Sequence, residues 1–345
     1  MKVVVTGHHG YIGSVLVPLL ARAGHEVVGI DTFYYEGCDL APDAEQVTGV
    51  RLDVRDVKPE HLAGADAVVH LAALSNDPLG ELRPELTREI NFRATAGVAR
   101  AAREAGVPRF VFASSCSMYG AADSVTAVAE QAPLQPLSEY ARSKVLSEEA
   151  LAELAGDGFS PIFMRNATAY GVSPRHRMDL VVNNLVGWAH TTGVVRILSD
   201  GTPWRPLIHI EDISRATLAL LDAPVELVHC EAFNVGADSE NYQVRDLAEI
   251  VEEVVPGCRI EYAGTGEPDP RSYRVDFGKL ARTFPDLQLR WNARRGVEEL
   301  ARAYAEAGLT QAEFEGDRYT RLKRLERLLS GGSLDDDLRW EHALH

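Results

Sequence analysis

Apolar positions along the chain alternate between two rhythms. Lys2 to Thr6 is a short β-branched run, Tyr11 to Ala23 spaces its apolar residues at helical intervals, and GHEVVGID supplies a second strand after the stop at Gly24. The alternation continues with VTGVRLDV and ADAVVHLAAL as strands and a helix from about Pro84 to Ala105, ended by Gly106. RFVFASS then reads as a fifth strand, Glu139 to Leu154 as a helix and FSPIFMR as a sixth strand. Apolar strands that alternate with amphipathic helices predict a parallel sheet covered on both faces, because each parallel crossover needs a helix to bring the chain back. The predicted fold class is therefore α/β, a doubly wound parallel sheet.

Beyond Gly171 the rhythm breaks. GVSPRHRMD, LSDGTPWRP and AGTGEPDPRSYR are long connections rich in Gly, Pro, Arg and Asp, and connections of that length in a compact chain usually serve function. The pattern predicts a sheet domain over residues 1–170, to which 206–240 return through LIHIEDISRATLALL and EAFNVG. A smaller, mostly C-terminal substrate-binding domain is expected over 171–205 and 241–330, with helical runs from Gly296 onward, and then the Gly331 and Gly332 break opening an acidic tail over 331–345.

Composition narrows the partners. The 345 residues carry 35 Lys+Arg against 51 Asp+Glu, and a net charge of -16 repels a nucleic-acid backbone. No apolar stretch is long enough to span a membrane, and MKVVVTG enters a strand with no signal-like region before it. Cys38, Cys116, Cys230 and Cys258 are scattered without CxxC pairing, as suits reduced thiols. These features predict a cytoplasmic chain that binds neither nucleic acid nor membrane.

The candidate chemistry begins at TGHHGYIG. Gly7, Gly10 and Gly13 follow a strand and open a helix, and Asp31 closes the next strand 18 residues after Gly13. This is the Rossmann dinucleotide pattern. The glycines allow a tight turn, close backbone approach to a pyrophosphate and close helix packing, while the helix N-terminus offers N–H groups to phosphate. Asp31 accepts from a ribose 2′-hydroxyl and repels a 2′-phosphate, so NAD is predicted over NADP. His8 and His9 are neighbours with no acidic or Cys partner nearby, so no metal is predicted; they read as loop positions with one imidazole near the phosphates. Tyr140 and Lys144 share a helix face, where an ammonium lowers the pKa of a phenol and makes it an acid/base at neutral pH. His70 and His209 lie in apolar runs and read as core residues. His176, within the basic PRHR, reads equally as a substrate contact or an exposed residue.

These motifs together resemble the extended short-chain dehydrogenase/reductases, in particular the NAD-dependent epimerase/dehydratase group acting on nucleotide sugars. The resemblance spans roughly Lys2 to Tyr304 and includes LDVRD, HLAA, SSCSMYG, RNATAYG, NNL, RPLIHIEDI and DPRSYR. It implies that Tyr11 and Ile12 join the glycines at NAD, that Asp53 and Val54 flank the adenine, and that Leu71, Ala72 and Ala73 line the cofactor groove. It implies Ser115, Tyr140 and Lys144 as the catalytic set, and Asn91 as a steadying residue beside the cofactor and the active-site helix. On the substrate side it implies Ser75, Ser117 and Thr168, with Asn184 and Arg205 on the diphosphate of a nucleotide-diphosphate sugar and Arg271 at its nucleotide end. The helices at Pro84–Ala105 and Glu139–Leu154 would pair across a two-fold axis in a homodimer.

Departures from the family pattern bear on the reaction. Sugar 4,6-dehydratases carry an Asp-Glu pair after the catalytic hydroxyl, and decarboxylases keep the Glu. Here those positions are Cys116 and Ser117, which disfavours both reactions. Thr168 stands where many epimerases have an Asn. The reading that follows is an epimerase working through a transient keto-sugar, most simply at C4. The alternatives are an NAD(P)H-dependent 4-keto-deoxysugar reductase with the same residues, and a non-catalytic NAD-sensing protein.

Overall fold

The computed structural model describes residues 1–40, 49–75, 83–120, 126–262 and 272–341. Strand β1 (Lys2–Thr6) leads through α1 (Gly13–Arg22) to β2 (Glu26–Asp31), then to β3 (Gly49–Arg51) and β4 (Ala67–His70). The predicted helix near Pro84–Ala105 is continuous but not uniform. Pro84–Thr87 opens it, Arg88–Arg93 form a π-helical segment, and α2 (Ala94–Glu104) completes it. Next come β5 (Arg109–Ser115), α3 (Glu139–Leu154) and β6 (Ser160–Asn166). Ser138 starts α3 by accepting from the Ala141 N–H at 3.2 Å, a side-chain cap for one of the helix's orphan donors.

The later strands are β7 (Thr168–Tyr170), β8 (Val194–Ile197), β9 (Trp204–His209), β10 (Glu231–Val235), β11 (Asn241–Gln243) and β12 (Arg259–Tyr262). Between them run α4 (Val181–Thr192), α5 (Ile210–Asp222) and α6 (Val244–Val254), followed by α7 (Ala293–Glu306) and α8 (Arg321–Ser330). Seven strands form one sheet in the order β10-β6-β5-β4-β1-β2-β3, every pair parallel. The α/β fold class is borne out.

Strand periodicity fills both faces. Val3 and Val5 point to one cluster with Leu16 and Leu20 of α1 and Ile213 and Leu220 of α5. Val4 points to the other, with Val98 and Ala102 of α2 and Leu151 of α3. Chain order reverses between β1 and β4, so the loops after these strands part there and leave a crevice at their carboxyl ends.

Two expectations change. The LIHIEDIS segment does not bring a strand back to the main sheet. β9 pairs in parallel with β7 and antiparallel with β11 in a separate three-stranded sheet, and only its helix α5 covers the main one. The second change concerns the acidic end. Residues 333–341 lie against the first layer: Tyr34 donates its hydroxyl to the Leu338 carbonyl at 2.5 Å, Trp340 Nε1 to the Thr32 carbonyl at 2.7 Å, and Arg55 Nη1 to the Asp337 carbonyl at 2.8 Å. The pull is local hydrogen bonding and ring packing, which the three successive aspartates at 335–337 hide in sequence. A third core cluster, around β7, β9, α4, α6 and α7, supports the far side of the crevice.

Candidate active site

The crevice holds a cavity of about 460 Å³ whose wall includes Gly7, Gly10, Tyr11, Ile12, Gly13, Asp31, Asp53, Val54, Leu71, Ala72 and Ala73. Gly7 sits at φ +75°, and a Cβ there would lie 2.8 Å from the Ala72 nitrogen. At Gly13 a Cβ would fall 2.3 Å from the Gly7 carbonyl oxygen, so the loop closes on itself only without side chains. Ile12 caps α1 with no side-chain hydrogen bond, and because the Ser14 and Val15 N–H groups are taken by the Gly10 and Ile12 carbonyls at 3.1 Å, what the helix start offers an anion is chiefly the positive end of its dipole. Asp31 is fixed at the end of β2 by N–H donors from His9 at 3.0 Å and Phe33 at 2.7 Å. A glycine cradle, an uncapped helix end and a hydroxyl-accepting carboxylate have the chemistry to hold a dinucleotide.

Neither histidine of the loop borders this cavity. His8 is buried beneath it, in space left by two further glycines, for a Cβ at Gly29 or Gly49 would lie 2.3 or 2.2 Å from its ring. His9 packs on Phe33 with ring centroids 4.5 Å apart. Burial lowers the pKa of both, that of His9 to about 3, so the rings are neutral, and no metal-binding cluster occurs among the described residues.

The chemical groups approach from the other side of the switch point. Ser115 ends β5, where its hydroxyl accepts the Ser117 N–H at 3.1 Å and donates to Ser117 Oγ at 2.9 Å. Tyr140 and Lys144 lie in the first turns of α3 and border the same cavity. Lys144 is 3% exposed, donates to the Ala113 carbonyl at 2.6 Å, and lies 5.7 Å from the Tyr140 ring centroid. Burial pushes its ammonium down to about 7, partly opposed by Glu148. Cys116, by contrast, is sealed in the core. Its thiol donates to the Arg165 carbonyl at 3.0 Å and burial raises its pKa, so it cannot act as an acid or base toward the cavity.

On the expected substrate side, Ser75, Ser117, Thr168 and Arg205 border the cavity. Two expected contacts do not. Asn91 exchanges hydrogen bonds with the Leu74 backbone at 2.8 and 3.0 Å, and its carbonyl accepts from Ser147 of α3 at 3.0 Å. It thus ties the loop after β4 to the active-site helix rather than touching a cofactor. Asn184 turns its amide back to the Met178 carbonyl at 2.9 Å, away from the cavity wall. Arg271 lies outside the described residues.

His70 bridges Thr6 and Thr95 at 2.7 and 2.9 Å in the core, and His209 pairs with Glu299 at 2.9 Å against Trp291. His176 is neither exposed nor a cavity residue; it is buried against the Tyr304 hydroxyl at 2.8 Å. The cavity also gains residues that the sequence reading did not assign. Arg177, signalled by PRHR, reaches Ser75 Oγ at 3.1 Å while paired with Asp179. Tyr34 and Arg321 carry no motif and come from the loop after β2 and from α8.

With this geometry in place, the family model for the NAD dependent epimerase/dehydratase family matches residues 3–236. The chain belongs to that family. Among its epimerase relatives, a UDP-glucose 4-epimerase of Corynebacterium glutamicum is 32% identical over 286 residues, covering 78% of this chain and 82% of that protein. MoeE5 in complex with UDP-glucose and NAD is 28% identical at a TM-score of 0.74, covering 90% of this chain and 100% of that one. DesIV, a dTDP-glucose 4,6-dehydratase from Streptomyces venezuelae with NAD and TYD bound, is 25% identical at a TM-score of 0.76, covering 91% of this chain and 100% of that one. Epimerase and dehydratase both occur among these similar proteins, so membership in the epimerase/dehydratase family leaves the choice of reaction to the residues of the cavity.

Proposed function

We propose that this protein is an NAD-dependent nucleotide-sugar epimerase that inverts a sugar carbon, most simply C4, through a transient keto-sugar. The observation that carries the reading is the pairing of Ser115, Tyr140 and Lys144 with a glycine cradle in one cavity, while the position after Ser115 is a sealed thiol. What NAD supplies when bound is reversible hydride exchange with the sugar carbon. The chain's own residues manage the proton and the pose. Tyr140 takes the proton of the sugar hydroxyl as the carbonyl forms and returns it as the alcohol is restored. Ser115 donates a hydrogen bond to the oxygen that gains carbonyl character. Lys144, while protonated, stabilises the Tyr140 phenolate. Neither Cys116 nor Ser117 offers the extra acid and base that loss of water requires.

Retention of NAD through the cycle makes the reaction redox-neutral. Incubation with UDP-glucose and with UDP-galactose, without added cofactor, is expected to give the same equilibrium mixture from both directions. Tyr140→Phe is expected to lower turnover by roughly 10²-fold or more. Full activity in that variant would refute the assignment. Dependence on added NADPH, with one-way reduction of a keto-sugar, would favour the reductase alternative.

We also propose a homodimer in the cytoplasm, formed by the helices at Pro84–Glu104 and Glu139–Leu154. Sedimentation showing only monomer at micromolar concentration would rule that assembly out.

A further inference from the structure

α8 begins on a cation. Arg321, its first residue, is 2% exposed and borders the same cavity as Gly7, Gly10 and Gly13. Its guanidinium lies 3.7 Å from the Tyr35 ring centroid, Nη2 donates to the Arg175 carbonyl at 2.8 Å, and Nη1 is buried without an acceptor. No ion pair joins it to a carboxylate among the described residues: the charges of Arg177 and Asp179 both act on it, but Asp179 is paired with Arg177 at 2.8 Å. A buried charge without a counter-ion is costly, and the positive end of a helix dipole raises that cost. The position calls for an anion.

The cavity indicates which anion. Arg321 borders the cavity together with the N-terminus of α1, so two positive features face one cavity. Its neighbours are Tyr35 and the loop after β2, on the side of Asp31, whereas Ser115, Tyr140, Thr168 and Arg205 mark the reacting side. The strap that follows α8 reaches the same region. Trp340 holds the Thr32 carbonyl, Leu338 receives the Tyr34 hydroxyl, and Asp337 receives Arg55, which itself grips Asp53 at 3.0 and 2.6 Å. Thr32, Tyr34 and Asp53 all border the cavity.

We propose that the C-terminal segment from Arg321 to Trp340 builds the adenosine diphosphate half of the dinucleotide site. Arg321 receives the pyrophosphate, and residues 333–341 act as a positioning strap for Thr32, Tyr34 and Asp53. This rests on the dinucleotide reading of the cavity.

Calorimetric titration of ADP, NAD, NADP and UDP into the full chain, Arg321→Met and Trp340→Ala tests it. Loss of one charge-assisted contact is expected to weaken ADP and NAD by about tenfold or more in Arg321→Met, with UDP unchanged. The salt dependence of ADP binding is expected to flatten in that variant. Arg321→Lys is expected to recover part of the affinity and the salt dependence. Trp340→Ala is expected to weaken ADP and NAD in the same direction, again sparing UDP. Equal ADP binding by the full chain and Arg321→Met would overturn the inference, as would a parallel loss of UDP or a loss confined to NADP. A full chain that binds neither NAD nor ADP would overturn the dinucleotide reading itself.

Discussion

Lys144 is buried at the foot of the cavity, and its ammonium is pushed down to about 7 by desolvation. The free side chain titrates near 10.4, so between about 7 and about 10 the unfolded chain holds a proton that the folded chain has released. Stability from this group is therefore expected to rise with pH through that window, with the full burial penalty felt below pH 7. Urea unfolding at pH 6.5 and pH 9 checks the sign: the gain should shrink in Lys144→Met. Below pH 7 the same residue keeps the charge that favours a Tyr140 phenolate, so chemistry and stability pull in opposite directions at one side chain. At Gly13 the constraint is steric. A methyl group 2.3 Å from the Gly7 carbonyl cannot be absorbed by a rotamer change, so Gly13→Ala is expected to cost about 1–3 kcal/mol and to abolish NAD binding. Thermal unfolding and NAD titration read the two effects separately. The glycine and Tyr-Lys spacings announced both positions in sequence. The sealing of Cys116 and the burial of His8 were not announced, because burial is decided by neighbours remote in the chain.

Among the elements, α3 carries the chemistry and is held at two levels. Ser138 caps its start, and Ser147 anchors its middle to the Asn91 carbonyl, while the Asn91 amide clasps the Leu74 backbone. Asn91→Ala leaves buried backbone groups unpaired and is expected to cost about 1–3 kcal/mol. Because it also frees the loop after β4, its loss should appear in turnover more than in KM. A variant that melts normally and turns over normally would show that the clasp is not needed. Sequence periodicity placed α3 and β5 at their observed bounds, since both are long and strongly patterned. It missed the π-helical segment at Arg88–Arg93 and sent β9 to the wrong sheet. Strand identity is a local pattern, but partner choice depends on which strands lie alongside, and β9 meets β7 and β11, which join it from segments before and after it in the chain.

At the scale of the molecule, one buried network ties α3 to the strands β6 and β10 at one end of the main sheet. Arg165 of β6 is paired with Glu148 of α3 at 2.7 Å, donates to the Tyr119 hydroxyl at 3.1 Å, and that hydroxyl donates to Asn234 of β10 at 2.6 Å. Both ends of the ion pair are almost fully shielded, so removing one charge strands the other. Glu148→Gln is expected to destabilise the protein by about 3–5 kcal/mol, read by chemical denaturation. An unchanged midpoint would mean that water reaches Arg165. The same long-range assembly brings α8 and the strap to the cavity, some 300 positions from the loop after β2 in sequence.

The sequence by itself determined the alternation of strands and helices, the glycine cradle, Asp31 at the end of its strand, and the Tyr-Lys pair on one helix face. Each of these is a spacing within a few residues, and backbone geometry turns such spacing into position. Tertiary structure alone decided that Asn91 and Asn184 spend their amides on backbone carbonyls, that His176 is core, and that Arg177 and Arg321 reach the cavity. Those outcomes depend on packing between segments far apart in the chain, where burial and unmet hydrogen bonds, rather than local spacing, choose the partner.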